Sequence, residues 1–307
     1  MEINELMVIL GPTATGKTAL AVEVARRMNA EIVSADSRQV YRGLDIGTGK
    51  DLAEYSEGGE QVPYHLIDIL DPGDTYNTFQ FKADASAIIR EIESRGKLPL
   101  VCGGTGLYIE SLLLDYHFRA ATKQEDFRAE AEEMDNQILA RQIEVLGGKL
   151  SAEDRKNRHR LIRMLEVLLF SEEEKQTRES LKIKKLHVFG IDLPREIVRR
   201  RISDRLIERL DNGMVEEVKG LIDAKVSVEW LNALGLEYRF ISSHLRRKIS
   251  YPEMFNSLET AIHQFAKRQS TWFRRMEKRG VEIHWIDGRK SLEEKVEQIL
   301  AVAKNTD

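Results

Sequence analysis

Residues 11–18 read Gly-Pro-Thr-Ala-Thr-Gly-Lys-Thr, the spacing G-x-x-x-x-G-K-[ST] of a phosphate-binding loop. Its chemistry is the holding of a diphosphate, which successive backbone N–H groups and a helix N-terminus wrap as an anion. In that setting Lys17 neutralises phosphate oxygens and the Thr18 hydroxyl is a ligand for Mg²⁺. Gly11 and Gly16 allow backbone angles and a close approach that a Cβ forbids. Such a loop recognises phosphates and not what carries them, so the identity of the diphosphate-bearing molecule stays open at this point.

The motif needs a buried strand before it and a helix after it, and both patterns are present. Residues 6–10, Leu-Met-Val-Ile-Leu, form a continuous apolar run, and Leu20, Val22, Val24 and Ala25 alternate with Glu23, Arg26 and Arg27 in a good helix former. Two further apolar runs end in polar loops: 31–34 leads into Ala35-Asp36-Ser37, and 98–102 leads into Gly103-Gly104-Thr105-Gly106. A third candidate strand is 64–68, followed by Phe81, Ala85, Ile88, Ile89 and Ile92 at helical spacing. Ligands of open parallel sheets sit beyond the carboxyl ends of the strands, so Gly11–Thr18, Asp36 and Thr105 are expected along one edge. The alternation predicts an α/β fold, a parallel sheet flanked by helices, built from residues 1–115 and 186–307.

Between them, 116–185 changes to polar, highly charged helix and reads as a helical insertion subdomain. One solvent-rich helix is expected over 123–146, stopped by Gly147-Gly148, and another over 156–170 with Leu161, Leu165, Leu168 and Leu169 as its stripe. Strand returns at 187–193, and Pro194 opens an arginine-rich helix. A long amphipathic helix over 253–278 precedes a closing strand at 281–286.

Composition bounds the function classes. The chain has 307 residues, 42% hydrophobic and 32% charged, as in soluble globular proteins. No run reaches the roughly 18 apolar residues of a membrane span, and the first strand begins too early to leave room for a targeting segment. Cys102, the single cysteine, excludes intramolecular disulfides and reads as a small buried hydrophobe in a cytoplasmic protein. No Cys/His group has zinc spacing. The net charge is only −4, but the basic residues are segregated into clusters around 155–163, 195–209 and 267–279, as suits a basic face that meets nucleic acid.

Six blocks in order resemble the tRNA dimethylallyltransferase (isopentenyl-diphosphate:tRNA transferase) family. They are Gly11–Thr18; residues 34–41 with Asp45-Ile-Gly-Thr48; residues 65–72; Gly103–Tyr108; Arg160–Glu166; and Ala266–Arg274. The resemblance spans nearly the whole chain and implies a P-loop NTPase-like core. It also implies transfer of a five-carbon prenyl group from dimethylallyl diphosphate to the exocyclic amine of an adenosine next to the tRNA anticodon. Asp36 would then accept the proton of that amine. Lys17, Thr105 and an arginine, Arg201 before Arg205, would hold the pyrophosphate leaving group, with Mg²⁺ on Thr18 sharing its charge. The loop residues Gly11, Pro12, Thr13, Ala14, Thr15, Gly16, Lys17 and Thr18 would bind the diphosphate. Asp36, Ser37, Gln39, Arg160, Arg163, Gln264, Lys267 and Arg268 would meet the anticodon stem-loop, with Trp272, Phe273 and Arg274 suited to loop and phosphate contacts. A monomer is expected. The sequence departs from the family at Gly49 and Asp51, usually Ala and Pro, at Ile262-His263, usually Thr-Arg, and in a short insertion. The loop alone also suits a small-molecule or nucleotide kinase, prenyl transfer to free adenine nucleotides is a close variant, and the basic clusters alone suit an RNA-binding protein without catalysis.

Overall fold

The computed structural model describes residues 2–114, 124–171 and 181–304. They fall into two compact units, one built from 2–114 with 181–304 and the other from 124–171.

The first unit opens with strand β1 (Glu2–Leu10), the glycine-rich loop and helix α1 (Lys17–Met28). Strand β2 (Ala30–Ser34) follows at once, then a long loop to β3 (Tyr64–His65), helix α2 (Thr78–Ser94), β4 (Leu98–Gly103) and α3 (Gly106–Leu113). Helix α2 starts where Asn77 and Gln80 form a reciprocal capping box, satisfying N–H groups at its first turn. The second unit holds α4 (Glu125–Glu133), α5 (Asn136–Val145) and α6 (Arg158–Phe170). The chain then returns through β5 (Lys182–Asp192) to α7 (Arg195–Asp211), α8 (Met214–Asp223), α9 (Val228–Leu234), α10 (Leu236–Leu245), α11 (Tyr251–Lys278), β6 (His284–Asp287) and α12 (Leu292–Lys304).

The six strands form one parallel sheet in the order β3-β2-β4-β1-β5-β6. Period-two alternation sorts β1 between the faces. Leu6, Val8 and Leu10 pack with α2, α3 and the end of α11, whereas Met7 and Ile9 pack against α1 and α12. A third core, formed by Val198, Ile202 and Leu206 of α7 with α8–α11, backs the loop at Val40, Tyr41 and Leu44. The register sets Leu10 opposite Gly103 and Ser34 opposite Cys102, so the loops after β1, β2 and β4 leave the sheet at one level.

The expected strands are present but differently bounded. β1 and β5 begin at Glu2 and Lys182, where Glu2↔Lys182 and Glu5↔Lys185 pair across the sheet. Those charged residues disguise the strand ends in the sequence. The single helix expected over 123–146 is two, because the Asp135 carboxylate accepts from Gln137 N–H at 2.7 Å and starts a new helix. The core of this unit is Ala131, Leu139, Ala140, Ile143, Leu161, Ile162 and Leu165. Within it Glu166 is fully buried; burial alone would raise its pKa, but Arg128, Gln124 N–H and Arg163 bring it down to about 2.

Candidate active site

Strand β1 delivers the glycine-rich loop into α1. Gly16, with φ 80° and ψ 31°, takes the left-handed turn at the helix start, and no side chain caps that end. The uncapped N–H groups therefore present partial positive charge to the loop's concave side. The Pro12 carbonyl accepts both the Thr15 hydroxyl at 2.8 Å and the Lys17 ammonium at 3.0 Å, which fixes the loop around the lysine. Burial lowers the Lys17 pKa and Arg205 adds to the effect, while Cys102, Asp36 and Glu54 oppose it. Behind the loop, Cys102 is buried and its thiol is pushed up to about 12, leaving it the neutral hydrophobe expected.

The second wall comes from β2 and β4. Asp36 Oδ1 accepts the Arg38 N–H at 2.9 Å, closing a tight turn on the carboxylate. Next to it the Ser37 N–H donates to Thr105 Oγ1 at 3.1 Å, and the Thr105 N–H donates to the Ala35 carbonyl at 3.1 Å. Thr105 stands at the N-cap of α3 without capping it, its side chain being committed to Ser37 instead. Gly103 is required by the closeness of the two loops, since a Cβ there would collide with the Ala35 carbonyl. Asp36, Ser37 and Thr105 are thus brought together beside the glycine-rich loop.

The link between the two walls is Gln269, which the sequence reading missed. From α11 its Oε1 accepts the Thr13 N–H at 2.9 Å and its Nε2 donates to the Gly104 carbonyl at 2.8 Å. The side chain is buried, 8% exposed. Its signal was available: Ala266, Gln269, Phe273 and Met276 form the buried stripe of α11, and an amide on an apolar stripe implies a specific partner. Phe273 is core, correcting its expected loop contact, while Trp272 packs on Gly106 and beneath the Arg275 guanidinium.

Helix α11 separates residues that the sequence reading grouped. Arg268 lies on the Phe265 side, whose ring also meets Arg38 at 5.1 Å. Gln264 and Lys267 instead line a cavity of about 930 Å³ whose floor includes Ile191, Leu193 and Trp285. Arg195 and Arg199 of α7 and Arg274 of α11 join Lys267 there, so two of the three basic clusters converge. His263 Nε2 donates to the Arg199 carbonyl at 3.2 Å and ties α11 to α7. Gln39 stays near Asp36, donating to the Gly49 carbonyl at 3.4 Å. Arg160 and Arg163 belong to the other unit, where they pair with Asp154 at 2.6 Å and Glu166 at 2.5 Å.

Helix α7 turns Arg205 to the loop. Its Nη2 donates to the Gly49 carbonyl at 3.4 Å, and it lines a cleft with Thr13 and Ala14. Arg201, ranked first in the sequence reading, is exposed one turn earlier and acts electrostatically on Lys295 of α12. It shares a face with Arg205, but one helical turn, about 5.4 Å, displaces it along the axis. Glu54, in the 3₁₀ turn Leu52–Tyr55, is a second residue missed. Burial, then Asp51, raises its pKa, against Arg205 and a hydrogen bond from Thr18.

The family model described as IPP transferase matches residues 39–276, and one described as isopentenyl transferase matches 4–65. A tRNA dimethylallyltransferase 2 of Phocaeicola vulgatus is 45% identical over 301 residues, covering 98% of each chain. A tRNA dimethylallyltransferase 2 of Shewanella sediminis is 46% identical over 303 residues, covering 98% of this chain and 99% of the other. Among solved structures, the tRNA isopentenylpyrophosphate transferase of Bacillus halodurans superposes with a TM-score of 0.72 at 32% identity, covering 98% of this chain and 96% of that one. With likeness along almost the entire length around a phosphate-type loop tied to the Gly104 turn, this chain belongs to the tRNA dimethylallyltransferase family.

Proposed function

We propose that this chain transfers a dimethylallyl group from dimethylallyl diphosphate to the exocyclic N6 amine of an adenosine adjacent to the tRNA anticodon, releasing diphosphate. The observation that carries this reading is the Gln269 bridge, which ties a phosphate-type loop to the Gly104 turn, where Thr105 in turn holds Ser37 beside Asp36. Breaking an allylic C–O bond puts negative charge on the leaving diphosphate, and fixed donors aimed at it lower the barrier. Residues 11–18 with Lys17 and Arg205 supply those donors. The Thr105 proton, held only loosely by Ser37 at 3.4 Å, can turn to the leaving group. Asp36 takes the amine proton as the new C–N bond forms, worth ~10²–10⁴-fold. Arg201 has a weaker claim to the diphosphate than Arg205, given its exposure.

Mg²⁺ fits this donor set. The Thr18 hydroxyl and the Glu54 carboxylate are hard oxygen ligands side by side, and burial raises the Glu54 pKa, a cost that a cation beside it would offset. Bound there, the ion would neutralise charge on the leaving diphosphate. Ser37 and Gln39 lie near Asp36, and Arg268 shares the Phe265 ring with Arg38; the three are assigned to the flipped base and its loop, a transfer out of the stack that costs a few kcal/mol. Lys267 and Gln264 in the cavity, and Arg160 and Arg163 in the helical unit, are assigned to the stem-loop backbone. We infer a monomer acting in the cytoplasm; among the described residues no helix is long and apolar enough to cross a membrane.

The test is incubation with labelled dimethylallyl diphosphate and either tRNA or AMP, followed by nucleoside mass spectrometry. Label on an adenosine of tRNA alone is expected. Label on AMP alone, or turnover of ATP in place of the prenyl donor, overturns the reading.

A further inference from the structure

The glycine-rich loop has a cationic neighbour that its motif does not account for. Arg209 lies one turn beyond Arg205 on α7 and lines the same cleft with Thr13 and Ala14. Its guanidinium rests against Gly49, where a Cβ would overlap Arg209 Nη2 and come within 2.7 Å of Arg205 Nη2. Both forks therefore crowd a backbone point that only a glycine leaves open.

The acids that act on Arg209 are held by other partners, although Glu237 lines the same cleft. Glu237 pairs with Arg38 at 3.1 Å. Glu217 accepts the N–H groups of Asp45, Ile46 and Gly47 at 2.7–3.0 Å and the Tyr238 hydroxyl at 2.9 Å. Among the described residues no ion pair is formed by Arg209. Burial and the adjacent Arg205 charge bring its pKa down to about 10, so the two guanidiniums are held together against their own repulsion. An oxyanion placed between them would relieve that repulsion and accept from both forks.

From this geometry we propose that Arg205 and Arg209 form a two-guanidinium clamp, spaced by Gly49, that grips the outer phosphate of the prenyl diphosphate at Thr13–Ala14. The clamp rests on the proposed prenyl-transfer reading, because it presumes that the loop holds a diphosphate. Arg209 becomes a binding residue for the leaving group, and Gly49 its spacer.

The experiment is calorimetric titration of the full chain with inorganic pyrophosphate and, separately, with tRNA. Arg209→Met is expected to weaken pyrophosphate binding by about 10–100-fold, the range of a lost charge-assisted contact, with tRNA affinity unchanged. Arg209→Lys keeps the charge but not the fork and should fall between. Gly49→Ala should weaken pyrophosphate binding in the parent chain and have a smaller effect in Arg209→Met, where only Arg205 still meets the added Cβ. Unchanged pyrophosphate affinity in Arg209→Met overturns the clamp, as does a loss confined to tRNA, which would mark a nucleic-acid phosphate contact. If the parent chain itself fails to bind pyrophosphate, the diphosphate reading of the loop falls first.

Discussion

Replacing Gln269 by Leu, nearly the same shape, removes both hydrogen bonds that join the glycine-rich loop to the Gly103–Gly104 turn. Each such bond contributes about 1 kcal/mol net, and stranding the Thr13 N–H and Gly104 carbonyl adds a desolvation cost of about 1–3 kcal/mol apiece when they stay dry. The loss comes to roughly 2 kcal/mol if water reaches both groups and up to about 8 kcal/mol if both stay dry, a large part of a typical stability of about 5–15 kcal/mol. A fall in Tm of roughly 5–15 °C follows. The catalytic effect is separate. If the bridge sets the distance between the Asp36 carboxylate and the diphosphate, drift of about 1 Å lowers kcat by about 10²-fold. Gln269→Glu keeps an acceptor for Thr13 but sets a carboxylate against the Gly104 carbonyl, so it should reduce pyrophosphate affinity more than the leucine does. Thermal melting, pyrophosphate titration and steady-state kinetics on both variants are the assay. A folded Gln269→Leu protein with kcat and pyrophosphate affinity within about twofold of the parent refutes the bridge as a positioning device.

Three other substitutions bear on the site and the fold. Asp36→Asn should lower kcat by ~10²–10⁴-fold while pyrophosphate and tRNA affinities hold, and a full-rate variant removes the carboxylate from the chemistry. Glu54→Gln should bind pyrophosphate without metal at least as tightly as the parent, since a repelling charge is gone, yet gain less from added Mg²⁺; equal gains in both proteins argue against a cation at Thr18. Glu31 is buried, and although burial raises its pKa, hydrogen bonds from His65, Lys97 and Arg95 carry it down to about 2. A depressed carboxylate contributes stability above its unfolded value of 4.5 and loses it as pH falls toward 2. Melting temperatures of Glu31→Gln and the parent should therefore differ at pH 7 and converge over that window; a constant gap shows that the ion pairs are not the cause.

What the sequence revealed was whatever rests on local pattern. The loop motif, the apolar strands and the turns at Asp36 and Thr105 are each encoded within a few residues, and a parallel sheet brings their ends to one edge. What escaped depends on partners far along the chain. Gln269 becomes meaningful only when Thr13 and Gly104 are seen on either side of it, and Glu54 only beside Thr18. The ranking of Arg201 over Arg205 turned on which helical turn of α7 stands opposite the loop, which spacing alone does not fix. Gly49, unusual against the family pattern, finds its reason in Arg209, about 160 positions later. The break between α4 and α5 was written at Asp135, a capping residue hidden among other acids.

The position of β1 between β4 and β5 also governs when the site can exist during synthesis. Its register with β5 runs from Glu2↔Lys182 to Leu10↔Gly190, so the first strand made waits for a neighbour some 180 residues behind it on the ribosome. Until then one edge of β1 is unpaired and the nascent loop has no complete frame, a long-range closure that slows folding and exposes apolar edge. A stalled translation product ending before residue 182 should accordingly be a substrate for chaperones, with its phosphate-loop residues still open to protease.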